Sequence, residues 1–328
     1  MNYIIKEKSN GDIVTVRQLQ LKLLEIMKEI DRVCKKNKIN YFLADGSCLG
    51  AIRHKGFIPW DDDMDIGMSR KDFKRFIKAL DKDLNSNFVY HCYEKSKKYP
   101  VAWPAMKIRM KNTYIREMNV LLPNTCRDCD GIFIDIFIYD YMSGSKILDF
   151  PLRFLNTLLM PIIVLFENIY INPIPLKEWY RFNARLYGKL CKKSSYFADE
   201  ITWVFQYKRY KYSDIYPTKL MNFEGIKLPV PGNYDQYLKK TYGNNYMIPP
   251  KESNRYAKHT LDINLESSEK DKDVVVPNKN IFIFFVYFGL ILNVVAIILR
   301  NKISLFLNLV GLFIIIISLL TFMHKNKN

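Results

Sequence analysis

From residue 15 to residue 37 the chain places Leu19, Leu23, Ile26, Ile30 and Val33 at three- and four-residue steps, with charged residues between them. That spacing gathers the apolar side chains on one stripe of an α-helix. Thr15 and Gln18 stand where a capping box would open it. Residues 41–44, Tyr-Phe-Leu-Ala, form a short apolar run that reads as a buried strand. Beyond a loop containing Pro59, Asp63-Met64-Asp65-Ile66 alternates carboxylate with apolar. As a strand it sends both carboxylates to one face and both apolar side chains to the other. Ser69 and Asp72 suit a capped helix start, and Phe73, Phe76, Ile77 and Leu80 supply its buried face.

Residues 88–93 and 105–109 read as further strands, the second with Lys107 and Arg109 on a common face. The most regular alternation is GIFIDIFIYD, residues 131–140. Ile132, Ile134, Ile136 and Ile138 line one face; Phe133, Asp135, Phe137 and Tyr139 line the other. An unpaired carboxylate in so apolar a strand is costly to bury, so Asp135 is expected to meet a metal or a cation. Residues 222–231 read as a hairpin turning at Glu224-Gly225, and 234–242 as a short helix. The mixture of the two periods predicts an α/β (α+β) domain over residues 1–268.

The pattern changes at two places. Residues 147–170 are strongly apolar but interrupted by Pro151, Arg153, Asn156 and Pro161. They make a poor membrane span and a fair interfacial or core segment, so an insert near 147–172 is expected either to touch a membrane or to fill a core. Residues 178–193 look helical and basic. Residues 196–216 are rich in Tyr, Trp, Lys and Arg, which suits headgroups or sugars as well as ordinary packing. Residues 269–280 read as a linker. Residues 281–299 and 303–322 are nearly uncharged and each about the length that spans hydrocarbon, with Arg300-Asn301-Lys302 between them. They predict a two-helix transmembrane hairpin over 281–323, followed by a basic tail at 324–328. Lys270, Lys272, Lys279, Lys325 and Lys327 flank the hairpin and outnumber the two cations of its turn. By the positive-inside rule the expected arrangement is a multi-pass cell-membrane protein whose folded domain faces the cytoplasm. The first ten residues lack an apolar core, so no cleavable signal peptide is expected.

Composition sharpens the choice of partner. Fifty Lys and Arg against 33 Asp and Glu give a formal net charge of +17. So basic a chain expects an anionic partner: nucleic acid, nucleotide or an anionic membrane face. A basic-aromatic nucleic-acid motif is missing and the hairpin argues against one, so no nucleic acid is expected. The six cysteines are scattered, as in a reduced compartment. Cys126 and Cys129 supply half of a tetrahedral zinc site; His91 and Cys92 could complete it, but the sequence does not require that, and a reduced structural pair is the reading taken here.

The candidate chemistry lies at 45–65. Gly46, lacking a Cβ, lets the chain turn tightly and approach a ligand. Ser47 is placed to cap the helix that follows, and a helix N-terminus is a ready anion site. Asp63 and Asp65, side by side, repel one another unless a cation sits between them. Their oxygens suit Mg²⁺ (or Mn²⁺), held by a few carboxylates together with substrate phosphates.

Asp45-Gly46-Ser47, Leu49-Gly50-Ala51, Arg53-His54-Lys55-Gly56-Phe57-Ile58-Pro59-Trp60 and Asp61-Asp62-Asp63-Met64-Asp65-Ile66 together resemble the signature of the LicD family. Weaker similarity runs on through Lys107-Ile108-Arg109, the Asp-Ile-Phe run at Asp135 and the segment 229–243. Arg255 and His259, a helical turn apart, are like basic residues near the end of the family's domain. The resemblance implies a nucleotidyltransferase-like mixed sheet with flanking helices. It implies a metal-dependent transfer of phosphocholine or ribitol phosphate from a CDP-alcohol to a cell-surface glycan. On that analogy Asp63, Asp65 and Asp135 are the catalytic and metal-holding carboxylates. Gly46, Ser47, Lys107 and Arg109 are the donor-binding residues. The implied partners are a nucleotide-activated donor such as CDP-choline, a lipid-linked glycan acceptor and the membrane. NTP-dependent nucleotidyl transfer to a small alcohol or sugar, and a non-enzymatic membrane-anchored scaffold, stand as alternatives.

Overall fold

The computed structural model describes residues 3–7, 12–101, 103–117, 129–168, 171–199 and 208–269, together with 289 and 310–312. The chain divides into two compact units, Met1–Asp271 and Lys272–Asn328. The expected hairpin over 281–323 lies almost wholly outside the described residues, as do the linker and the tail. The elements below belong to the first unit.

β1 (Ile4–Glu7) and β2 (Ile13–Thr15) pair antiparallel and lead into α1 (Val16–Lys36). The expected capping box is formed: the Gln18 amide donates to Thr15 Oγ1 at 3.3 Å, and the Thr15 amide to Gln18 Oε1 at 2.8 Å. Leu19, Leu23, Ile26, Ile30 and Val33 are all buried. At about 1.5–3 kcal/mol each, they hold α1 on the sheet far more firmly than its cap does. Next come β3 (Phe42–Leu43), α2 (Asp45–Arg53), β4 (Asp65–Ser69) and α3 (Arg70–Asp83). Ser69 caps α3, its hydroxyl accepting the Asp72 amide at 3.1 Å.

β5 (Phe88–Cys92), β6 (Met106–Met110), β7 (Tyr114–Glu117) and β8 (Phe133–Met142) follow. β8 is the centre of a seven-stranded mixed sheet. It runs parallel to β4 on one edge. On its other edge it runs antiparallel to β6 along its first half and to β9 (Tyr196–Asp199) along its second. β3 extends the sheet beyond β4, β5 beyond β6, and β10 (Tyr210–Lys211) beyond β9. The four isoleucines of β8 and its lead-in are buried, as their alternation predicts.

α4 (Lys146–Asn168) and α5 (Ile174–Leu190) stand between β8 and β9. The helix of α4 continues through Pro151 and Pro161. Leu159, Met160, Ile163 and Val164 join Tyr93, Tyr99, Trp103 and Tyr180 in a second apolar cluster apart from the main core. Among the described residues α4 is the one helix long and apolar enough to cross a membrane, over residues 147–167. In the Tyr-rich stretch that follows, Phe197 and Tyr210 are buried in the main core, so ordinary packing accounts for them. Residues 200–207 fall outside the described ones.

α6 (Tyr212–Ile215) precedes the hairpin of β11 (Lys219–Phe223) and β12 (Ile226–Val230). Its turn is at Glu224-Gly225, both with positive φ, as a tight hairpin requires. α7 (Tyr234–Tyr242) ends at Gly243, and β13 (Thr260–Asn264) returns to pair with β7. Arg255 and His259 are not on a helix: a single 3₁₀ turn, Glu252–Asn254, precedes them, and the chain then extends into β13. Cys129 is described, with its Sγ 4.0 Å from the Met110 carbonyl; Cys126 is outside the described residues.

Candidate active site

Three strands bring the chemistry into one row. Asp65 of β4 stands opposite Asp135 of β8 in parallel register, and Asp135 stands opposite Lys107 of β6. Registered neighbours share a face and lie about 5 Å apart. Asp135 meets the cation that its apolar setting demands: Lys107 Nζ donates to Asp135 Oδ1 at 2.8 Å and to Glu117 Oε1 at 3.2 Å. Asp65 has no such counter-ion; among the described residues nothing bonds its carboxylate. Its backbone, by contrast, is fixed on both sides. Its amide donates to Ser47 Oγ at 2.8 Å, and its carbonyl accepts the Ala44 amide at 3.0 Å.

That bond revises the reading of Ser47. α2 starts at Asp45, so Ser47 lies inside the first turn, and the N-cap position is Ala44, which offers no side-chain acceptor. The hydroxyl therefore braces the strand bearing Asp65 instead of capping a helix. The tight turn is also displaced by one residue, since positive φ falls at Asp45 and not at Gly46. Gly46 is still a close-approach position: a Cβ there would lie 2.8 Å from Asp61 Oδ2. The group it admits in this structure is a carboxylate.

The loop before β4 assigns its three successive aspartates to three different surroundings. Asp61 faces Gly46. Asp62 is buried and accepts the backbone amides of Lys258, His259 and Thr260 at 2.6–3.2 Å. Asp63 faces His259, with Nε2 at 3.3 Å from Oδ2. Met64 and Ile66 are buried behind them, as alternation predicts. The loop is pinned from outside as well. Gln20 of α1, itself buried, donates from Nε2 to the carbonyls of Ile58 and Asp61, both at 2.9 Å. Glu224 of the β11–β12 turn accepts the Phe57 amide at 3.2 Å and pairs with Arg17 at 2.7 Å.

The electrostatics are those of carboxylates in a cleft. Burial, joined by repulsion from neighbouring aspartates with Asp63 foremost, pushes Asp61 and Asp65 well above the usual carboxylate range. Asp63 is raised by burial, with His259 opposing. Asp135 is raised to about 6 by burial, with Lys107 opposing. Asp45 is raised by burial, against Lys208, whose Nζ is 3.5 Å from it. Tyr242 of α7 lies close to this cluster; burial and the charges of Asp45, Asp61, Asp65 and Asp63 all raise its phenol. Cations frame the other side. Arg53 and Arg255 lie over the Trp60 ring, at 6.0 and 5.1 Å from its centre. Burial and these two guanidinium groups lower His54, which accepts a hydrogen bond from Arg53 Nε at 2.9 Å.

The structure brings Asp63, Asp65 and Asp135 together, with Gly46 and Ser47 beside them. It gives Lys107 and Arg109 other work than meeting a free diphosphate. Lys107 is buried and committed to Asp135 and Glu117. Arg109 is buried, donates to the Gly131 carbonyl at 2.8 Å and packs over Phe133 and Trp103. Among the described residues, no three His, Cys, Asp or Glu side chains are arranged so that one ion could touch them all. The donor type nevertheless fits a hard divalent cation: carboxylate oxygens, with no cation bonded to Asp65 among the described residues, while Lys258 and Arg53 partly offset Asp61. Sequence reasoning missed Asp61, although PWDDDMD repeats Asp at 61, 63 and 65. It also missed Gln20, a polar residue at the edge of an apolar stripe.

Neighbouring strands of a mixed sheet thus gather carboxylates beside the N-terminus of α2. Residues 38–146 match the family described as "LicD/FKTN/FKRP, nucleotidyltransferase domain". The chain is also 27% identical over 271 residues to the lipopolysaccharide cholinephosphotransferase LicD of Haemophilus influenzae, covering 74% of this chain and 95% of that protein. With both in agreement, the chain carries a LicD-family domain. Uncharacterised proteins of Rickettsia typhi (43% over 60 residues, 18% of this chain and 19% of that one) and Rickettsia prowazekii (46% over 52 residues, 16% and 20%) are similar over shorter stretches.

Proposed function

We propose that the protein transfers a phospho-alcohol, phosphocholine first among the candidates, from a CDP-alcohol to a hydroxyl of a cell-surface or lipid-linked glycan. The observation that carries this reading is the Asp65–Asp135–Lys107 row, set within the region that matches the LicD family. The similarity to a lipopolysaccharide cholinephosphotransferase supplies the substrate class.

In the proposed reaction the acceptor oxygen forms a bond to the phosphorus next to the alcohol. The bond from that phosphorus to CMP breaks, and CMP leaves. Asp135 takes the acceptor proton. Its pKa of about 6 suits a base that is ionised near neutrality yet able to hold a proton, and Lys107 fixes its orientation. Asp63 and Asp65 would hold Mg²⁺ or Mn²⁺ together with the donor phosphates, whose charge the ion would offset when bound. Ser47 keeps Asp65 in place, and the first-turn amides of α2 at Gly46 and Ser47 face the phosphates. Arg53 and Arg255, only partly buried, are better placed for donor charge than the fully buried Lys107 and Arg109. Membrane anchoring through 281–323, with the domain on the cytoplasmic side where nucleotide-activated donors are made, completes the reading.

The test is a panel of CDP-alcohols offered to the purified full chain with divalent metal, reading CMP release and transfer to a glycan. The family's description as a nucleotidyltransferase domain favours a second reading, nucleotidyl transfer from an NTP. Release of pyrophosphate from an NTP, with no CMP from any CDP-alcohol, would establish that reading in place of the first.

A further inference from the structure

The polarity of α4 is inverted. Ile147 and Leu148 are 82% and 68% exposed, and Phe150, Phe154, Leu158 and Ile162 are each close to half exposed. At 100° per residue these six positions fall on one half of the helix, and no charged residue between 147 and 167 shares it. The polar residues point the other way, into the protein. Asp149 is buried and hydrogen-bonded to Ser143 Oγ at 2.5 Å; Asn156 donates to the Tyr180 carbonyl at 3.2 Å; Glu167 pairs with the buried Lys177 at 2.5 Å. In water a helix turns such residues outward. An apolar half of this extent calls for an apolar partner.

We propose that the outer face of α4 docks the protein on an anionic phospholipid bilayer, lying in the interface plane. Charge and aromatic placement select lipid over a protein partner. α5, packed against α4, exposes Trp179 and Phe182, side chains suited to the headgroup level. At its end the exposed Leu190 is surrounded by the exposed Lys189, Lys192 and Lys193. Apolar side chains framed by lysines fit acyl chains beneath anionic headgroups. A crossing orientation is disfavoured. The inner side of α4 is packed on Tyr93, Tyr99, Trp103 and α5, and insertion would draw the Lys177–Glu167 and Arg181–Glu94 pairs into hydrocarbon. This proposal does not rest on the reaction assigned above.

The experiment places a photoreactive benzoylphenylalanine at Phe154 in the full chain, reconstituted in vesicles of phosphatidylglycerol and phosphatidylcholine. A second chain carries the probe at Lys227, an exposed position on β12. The expected result is a lipid adduct at 154 and none at 227. Adding Phe150→Asp and Leu158→Asp should lower the yield at 154 about tenfold or more, the scale of withdrawing two apolar side chains from lipid. Both positions are exposed, and an unchanged unfolding temperature in detergent verifies that the variant folds. Cross-links from 154 into residues 281–323, or to a second copy of the chain, would overturn the proposal. So would an adduct yield at 154 no higher than at 227.

Discussion

Asp65→Asn should make the protein more stable and inactive at once. Asp65 lies about 5 Å from Asp135 across the sheet, and its carboxylate has no cation among the described residues. Two like charges at that distance cost about 3 kcal/mol at an effective dielectric of 20. Solvent reaching the cleft and the Lys107 charge beside Asp135 reduce this to about 1–2 kcal/mol. For a domain of this size that is about 2–8 °C in unfolding temperature. The sign follows from the direction of the shift. Asp65 is held above its ordinary range when folded, so the fold is favoured while the group is protonated and loses stability as pH rises through the folded pKa. The variant lacks that loss. The two proteins should unfold together near pH 4 and diverge toward pH 7.5, with the variant higher. The assay is thermal unfolding of the full chain in detergent with excess chelator at several pH values. Adding Mg²⁺ should then raise the wild type and leave the variant unmoved. A variant that unfolds below wild type at pH 7.5 in chelator would refute the reasoning, since Asp65 would then have a stabilising partner.

Ser47→Ala leaves the Asp65 amide without its acceptor; it should cost about 1–2 kcal/mol in unfolding free energy and lower turnover more than it raises the donor KM. Gln20→Leu keeps the bulk of the side chain but releases the Ile58 and Asp61 carbonyls, so a loss of about 1–3 kcal/mol should accompany a fall in turnover, both measurable on one purified sample. Transfer should rise with pH through about 6 as Asp135 loses its proton, and a rate flat from pH 5 to 7 would remove Asp135 as the base. A chain ending at Asp273, just past the first compact unit, should still turn over donor with a water-soluble acceptor and lose activity toward a lipid-linked one.

The local parts of this architecture are written plainly in the residues. Helical and strand periods locate α1, α3, β4 and β8, and the capping pairs Thr15–Gln18 and Ser69–Asp72 mark where two helices begin. The alternation at 63–66 and at 131–140 also tells which side of each strand carries the carboxylate. What it cannot tell is which residues of different strands stand opposite one another, because register is a property of the pair. Asp135 was therefore identifiable as needing a cation, while the choice of Lys107 as that cation depended on β6 lying beside β8. The same holds for Ser47. A serine near a helix start is equally suited to capping or to bracing a neighbouring strand, and one residue of shift in the helix decides between them. Gln20 and Asp62 act on segments far away in sequence, so no local pattern announces them.

Asp62 has a consequence for how this protein can be divided. Its carboxylate is closed off from water and hydrogen-bonded by three consecutive amides supplied from nearly two hundred residues downstream. The segment that matches the family stops at residue 146, yet a fragment cut there would leave a buried carboxyl group without its hydrogen-bond donors in the middle of the aspartate loop. The loop would be expected to reorganise, taking Asp61 and Asp63 with it. The unit that can be transplanted, truncated or expressed as a working site therefore reaches from the cap of α1 to the end of β13. A boundary drawn from sequence similarity alone would divide the candidate site, and the strand at residue 260 is as much a part of the aspartate loop as the aspartates themselves.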